Sequence, residues 1–207
     1  NKATSSAIVT LNNNINVGTL NMTLGTMQTG SNSVTLSSTR TGNGLILGTV
    51  TRTHTFALST LYEFEGPNTF INFTAGSTPS SVTVAVAQTT PASPTMIPVD
   101  RSISISITGG SFIATLRLHY ENSETNDLDE LGLKLWKDSS GTWIDRGATT
   151  HDSVNNYIEL TGITAFSSWA IGASASSKTL VDNNGGSANA GDTLAYTVTI
   201  VNPYKST

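Results

Sequence analysis

Short segments in which apolar and polar residues alternate make up most of the chain. Residues 81–87 and 102–108 alternate strictly, and turn residues such as Gly, Asn and Ser separate segments of this kind along the sequence. A period of two indicates half-buried β-strands, whereas an amphipathic helix repeats its apolar residues every three to four positions. The pattern therefore predicts an all-β protein.

A proline-rich stretch at residues 89–94 divides this pattern into two parts. The second part, residues 95–173, carries roughly seven strand segments with the turn spacing of Ig-like sandwiches. We predict an Ig-like or jelly-roll-type antiparallel β-sandwich there, preceded by a short-strand β segment over residues 1–94. The sequence leaves open whether these parts are two domains or one sandwich with shared strands.

An apolar-Gly-Thr-apolar phrase at residues 17–20 recurs seven residues later, at residues 24–27. A solenoid needs three or more repeats in series, so two copies at this spacing are too few to predict one. We therefore expect a succession of short strands and turns in this part of the chain.

Residues 174–207 form a linker followed by an extended C-terminal strand. Leu194, Tyr196, Val198 and Ile200 alternate with small or polar residues, so one face of this strand is apolar. A lone strand leaves backbone groups and an apolar face in water. We interpret these four residues as a partner-pairing strand. Pairing in trans, pairing in cis and truncation of a longer domain all remain open.

The composition favours an extracellular or cell-surface protein of a prokaryote. Only 12% of the residues are charged, against about 25% in ordinary globular proteins. The net charge of −4, without a basic cluster, gives no reason to expect nucleic acid or an anionic membrane as partner. The sequence contains no Cys, which excludes thiol chemistry and cysteine-type zinc sites and differs from most secreted eukaryotic proteins.

We find no signal peptide and no apolar run near the ~18 residues that a transmembrane helix needs. The chain begins at Asn1 without Met, so we expect a processed or trimmed product.

No set of residues carries a catalytic signature. His54, His119 and His151 are scattered without the spacing of a zinc motif, and no Gly-x-Ser-x-Gly sequence occurs. We therefore predict no enzyme, no catalytic residue, no metal and no cofactor. The acidic residues of the loop 121–130 are oxygen ligands of the kind that calcium prefers, but their order is not that of an EF-hand. We favour a solvated loop and leave calcium binding open.

Two sets of residues suggest a relation to glycans, one by covalent attachment and the other by binding. Asn21 and Asn72 begin Asn-x-Thr sequons and are candidate glycosylation sites. The candidates for an aromatic sugar-binding platform are Trp136, Trp143, Trp169 and Tyr157, although such residues more often fill a core. Trp136 is out of phase with the neighbouring leucines, so we expect it to be the more exposed.

Five phrases of the second part occur in a distinctive order and spacing: residues 116–120, 126–130, 133–136, 141–143 and 161–167. Together they resemble a β-sandwich module of large bacterial cell-surface proteins. Residues 7–90 are similar to the short-repeat β-segment that often precedes that module. Residues 178–202 resemble the start of the Ig-like conserved-repeat domain known as domain of unknown function eleven, of which only the first two strands are present. The resemblance implies a secreted or surface-anchored setting and no activity.

These features predict a non-enzymatic extracellular structural protein. We expect a self-assembling filament or surface-layer subunit, a head-to-tail homo-oligomer in which the C-terminal strand adds to a neighbour's sheet. The alternative is a carbohydrate-binding or adhesive module of a larger secreted enzyme or adhesin, with glycans as partners.

Overall fold

The computed structural model describes residues 7–182, 189 and 191–205. Within these residues the protein is built almost entirely of strands, and the helical elements are two short 3-10 turns, Asn122–Glu124 and Glu130–Gly132. The strands, in chain order, are β1 (Ile8–Thr10), β2 (Ile15–Val17), β3 (Leu20–Asn21), β4 (Thr26–Leu36), β5 (Arg40–Thr41), β6 (Leu45–Arg52), β7 (Leu61–Glu63), β8 (Phe70–Ser77), β9 (Ser81–Ala87), β10 (Met96–Thr108), β11 (Ser111–His119), β12 (Lys134–Ser139), β13 (Thr142–Gly147), β14 (Thr150–Asp152), β15 (Tyr157–Ile163), β16 (Ser168–Ser174), β17 (Ser177–Asp182) and β18 (Leu194–Thr199).

Two large sheets form a sandwich, which confirms the predicted all-β fold. The larger sheet has the order β1-β4-β6-β9-β10-β16-β12-β13, with β2 also paired to β4. The smaller sheet has the order β14-β15-β11-β8-β7. β9 pairs with β10, and β8 pairs with β11. Strands from either side of residue 94 therefore share both sheets.

One apolar core lies between the sheets. In β9, the alternation predicted from the sequence places Val82, Val84 and Val86 in this core, where at most 3% of each side chain is exposed. Phe73 of β8 and Leu116 of β11 face the same core from the other sheet. Because each such side chain stabilises the fold by about 1.5–3 kcal/mol when fully buried, this shared core ties the two parts of the chain together.

The segment from β1 to β6 forms stacked parallel coils, an arrangement that the sequence did not predict. β1 runs parallel to β4, and β4 runs parallel to β6. Val9 pairs with Met27 and Met27 pairs with Ile46, so successive coils stack at nearly equal intervals along the sequence. Parallel stacking at an interval of roughly 20 residues is the geometry of a β-solenoid. The copies of the apolar-Gly-Thr-apolar phrase at residues 17–20 and 24–27 are only seven residues apart, so that spacing is not the structural period.

Candidate functional site

The predicted partner-pairing strand forms a hairpin with β17. β18 is antiparallel to β17, with Leu180 opposite Tyr196 and Lys178 opposite Val198. Residues directly opposite each other in an antiparallel pair lie on the same face of the ribbon. In the described part of the chain no third strand pairs with either member of this hairpin. The strand therefore pairs in cis on one side only.

One face of this hairpin is apolar and exposed. Leu180 is 50% exposed, Tyr196 56% and Val198 59%, and Ile200 beyond the end of β18 is 85% exposed. Leu194 is half-buried. The Lys178 ammonium lies 4.4 Å from the centre of the Tyr196 ring. Tyr196 nevertheless remains more than half exposed. We call the residues Leu180, Leu194, Tyr196, Val198 and Ile200 the hairpin face.

After the hairpin the chain returns to the sandwich and attaches to the acidic loop. The Asp129 amide donates a hydrogen bond to the Pro203 carbonyl at 2.7 Å, and the Lys205 amide donates to the Asp127 carbonyl at 3.0 Å. Pro203 is buried. The Lys205 ammonium also donates to Glu130 Oε1 at 2.9 Å. The acidic loop is therefore the attachment point of the C-terminal segment.

Two carboxylates of the acidic loop are engaged within the protein. Glu124 is buried and accepts hydrogen bonds from Arg101 Nε at 2.8 Å and from Gln88 Nε2 at 2.9 Å. The Tyr120 hydroxyl donates to Glu130 Oε2 at 2.9 Å. Burial raises the pKa of Tyr120, and the hydrogen bond to Glu130 adds to this effect. Among the described residues no cluster of three or more His, Asp or Glu side chains is arranged to hold a metal ion.

Arg101 is the centre of a buried ionic cluster. Its guanidinium is fully buried and contacts the carboxylates of Glu65 and Glu124. Burial alone would lower the pKa of Arg101, but the charges of Glu65 and Glu124 more than offset this and raise it. The Thr69 hydroxyl also donates to Glu65 Oε2 at 2.8 Å. This cluster joins β10 to the acidic loop in the interior of the sandwich.

A polar cleft of about 460 Å³ lies beside this cluster. His119 lines it, with Nδ1 4.0 Å from Glu65 and Nε2 3.7 Å from Glu121, so neither contact is a hydrogen bond. Burial, opposed by the charge of Glu65, lowers the pKa of His119. The remaining lining is Asn43, Leu45, Pro67, Asn68, Glu121 and Asn155.

This ionic cluster was not predicted, although the sequence contains a signal for it. The Arg101 side chain lies on the inward face of β10, together with Val99 two residues before it and Ile103 two residues after it. All three are buried. A charged residue in the apolar phase of an alternating strand needs a buried partner. The sequence does not show which carboxylates supply it.

The other two histidines serve structural contacts on separate elements. His54 follows β6, where its Nε2 lies 3.2 Å from Arg52 Nη1. His151 lies in β14, with Nε2 2.6 Å from the carbonyl of Leu133. The structure thus does not bring the three histidines together.

The two candidate glycosylation sites differ in accessibility. Asn21 lies in β3 and is exposed, whereas Asn72 lies in β8 between two paired strands and is half-buried. The side-chain oxygen of Asn72 is buried and has no hydrogen-bond partner. Asn21 is therefore the more accessible of the two side chains.

The expectation that Trp136 is exposed is wrong. Only 4% of Trp136 is exposed, and its indole nitrogen donates to the carbonyl of Gly172 at 2.9 Å. It packs with Met96 and Ala170 on the side of the sheet away from the main core. Because Trp136 follows Leu135 directly, its side chain lies on the opposite face of the strand, where this second cluster buries it. Trp143 is half-buried against the same cluster, so Trp136 and Trp143 do not form a flat exposed platform.

Comparison of the chain with family models, curated proteins and solved structures gives no match in any of the three. Within the described residues, no helix has both the length and the hydropathy needed to cross a membrane.

Proposed function

We propose that this chain is a non-enzymatic extracellular structural subunit that assembles head-to-tail through β-strand addition at the β17–β18 hairpin. The observation that carries the proposal is the exposed hairpin face. The low charge, the absence of Cys and the resemblance to bacterial surface modules support the extracellular setting.

Strand addition suits a two-stranded ribbon for two physical reasons. An isolated ribbon of this size is only marginally stable in water, because its outer edges leave backbone groups unpaired. The edge of a neighbour's sheet supplies those hydrogen bonds, and pockets beside that edge take up the alternate side chains of the hairpin face. Each apolar side chain that becomes fully buried in this way contributes at most about 1.5–3 kcal/mol, before the entropic cost of association.

The geometry of such a contact determines the kind of assembly. The hairpin lies near the C-terminal end of the described chain and would add to a different surface of the neighbouring subunit. A contact between two different surfaces repeats from copy to copy, so it generates an open filament unless its rotation closes a ring.

The test compares two faces of the same strand. The double variant Tyr196→Lys with Val198→Lys places two charges on the hairpin face. The matched control, Thr197→Lys with Thr199→Lys, places the same charges on the opposite face, where both residues are also exposed. Sedimentation over a range of concentrations and negative-stain electron microscopy report assembly, and circular dichroism reports folding.

We expect the parent chain and the control to assemble, and the hairpin-face variant to remain a folded monomer. A parent chain that stays monomeric at every concentration, or a hairpin-face variant that assembles like the control, would contradict the proposal.

A further inference from the structure

The interior of the stacked coils becomes more exposed toward the N-terminal coil. Along one ladder of paired residues, Val9 is 39% exposed, Met27 8% and Ile46 0%. A second ladder begins at Ile15, which is half-buried, and continues to Val34, which is fully buried. The same inward positions are therefore covered in the later coils and uncovered in the first.

A recess of about 230 Å³ marks this uncovered end. Its apolar lining includes Val9, Leu20, Met22, Leu24 and Met27. Leu24 is 40% exposed. Because these side chains continue the apolar interior of the coils, the recess is the end of a core and not a separate pocket. We call it the coil end.

The coil end lacks the features that normally protect exposed strands. The sequence contains no Asp, Glu, Lys or Arg between residues 3 and 39, and its first proline is Pro67. Natural proteins usually guard exposed strand edges with charges, prolines or bulges, because such edges recruit other strands. A charge-free apolar end of this kind suits contact with another polypeptide better than contact with water.

We propose that the coil end binds one further coil of the same type: an uncharged segment of roughly 20 residues whose strands lie parallel to β1 and β2. The argument is continuity with an existing interface. β1 stacks on β4, and β4 stacks on β6, in parallel and at nearly equal intervals along the sequence. In the first coil, Val9 and Ile15 occupy the positions that their partners Met27 and Val34 occupy in the second coil. Its lack of charge matches a coil of the same composition.

This inference does not rest on the proposed role of the hairpin, since the two use opposite ends of the described sequence. A failure of either test leaves the other unaffected.

The test adds one further coil in register. Tandem duplication of residues 8–25 places a second copy of the first coil ahead of the original, at the interval that separates Val9 from its partner Met27. The readout is amide hydrogen exchange in β1 and β2 of the original copy. The matched control carries the same duplication with Val9→Lys and Ile15→Lys in the added copy only.

We expect exchange in the original β1 and β2 to slow several-fold in the duplicated chain, because the added coil covers the exposed part of side chains such as Val9. We expect no slowing in the control. Equal exchange in the parent chain, the duplicated chain and the control would overturn the proposal.

A measurement on the parent chain keeps the inference testable if the duplicated chain does not fold. The exchange of β1 and β2 is followed as the parent is diluted. Fast exchange that does not depend on concentration supports a coil end that no second copy of the chain covers. Slow exchange that is lost on dilution would show that a second copy of the chain already covers this end, and would overturn the assignment of its occupant.

Discussion

Lys205 and Glu130 are 75 positions apart in the sequence, and their side chains form an ion pair with 2.9 Å between Nζ and Oε1. The Tyr120 hydroxyl also donates a hydrogen bond to Glu130 Oε2 at 2.9 Å. One carboxylate therefore links the end of the sandwich strand β11, the acidic loop and the segment that follows the hairpin. The orientation of the hairpin depends in part on this attachment.

Glu130→Gln is expected to loosen the C-terminal segment without unfolding the sandwich. The amide keeps an oxygen for the Tyr120 hydroxyl but removes the charge that attracts Lys205. Because the Lys205 side chain is 52% exposed, solvent screens the pair and its contribution to global stability is small. Hydrogen exchange at the Lys205 amide should accelerate several-fold while the urea midpoint changes little.

The control for this change is Glu159→Gln, which disrupts the pair with Arg117 on other strands. It should leave exchange at Lys205 unchanged. Loss of several kcal/mol of global stability in Glu130→Gln would show that the attachment is part of the cooperative core.

Arg101→Met is expected to destabilise the protein by about 3–5 kcal/mol, because it leaves Glu65 and Glu124 buried without a countercharge. The control Lys134→Met removes an ion pair whose side chains are each 37% exposed. It should cost less than about 1 kcal/mol. Equilibrium urea unfolding measures both.

The explanation by unpaired charge has its own check. Adding Glu65→Gln and Glu124→Gln to the Arg101→Met variant should recover part of the lost stability. No recovery would mean that Arg101 stabilises the fold through packing alone.

The sequence predicted the strands better than it predicted their partners. The period of two in β9 and β10 correctly identified inward residues such as Val84 and Ile105, because burial on one face of a sheet imposes that period. The same period occurs in parallel and antiparallel strands. The stacking of Val9, Met27 and Ile46 therefore could not be predicted, since these positions share only apolar character.

Two local expectations also differ from the structure for physical reasons. The alternation of Leu131, Leu133 and Leu135 with other residues predicts a strand that starts at Leu131. The strand β12 instead begins at Lys134, because Glu130–Gly132 form a 3-10 turn capped by Asp129. Trp136 is buried because a second cluster covers the outer side of its sheet. Neither feature appears in the period of the apolar residues. The cap is a local hydrogen bond from the Leu131 amide to the Asp129 side chain, whereas the outer cluster depends on tertiary contacts.

His119 is expected to make stability depend on pH just below neutrality. Burial, opposed by Glu65, lowers its pKa from the ordinary value of 6.5, and Arg101, Glu121 and Glu124 are the other charged groups around it. As the pH falls below 6.5, the unfolded chain binds a proton before the folded chain does. The free energy of unfolding should therefore decrease as the pH falls through this range.

The pH experiment measures urea unfolding between pH 7.5 and pH 5.5. His119→Gln should flatten the dependence in that range, while the exposed His151→Gln should retain it. An unchanged slope in His119→Gln would contradict the assignment of the pH dependence to His119.

Val34→Ala and Val9→Ala are expected to differ in cost although they delete the same atoms. Val34 is fully buried, so its truncation removes two methyl groups from the core and leaves a cavity, at about 2–3 kcal/mol. Val9 is 39% exposed, and its truncation should cost less than about 1 kcal/mol. Urea unfolding of the two variants gives the comparison directly.

The same two substitutions also test whether an added coil covers the coil end. In the chain with residues 8–25 duplicated, the original Val9 becomes an interior residue if the added coil stacks in parallel. Its truncation should then approach the cost at Val34, because the side chain has neighbours on both sides of its ladder. If Val9→Ala remains as mild in the duplicated chain as in the parent, the added coil does not cover the original one.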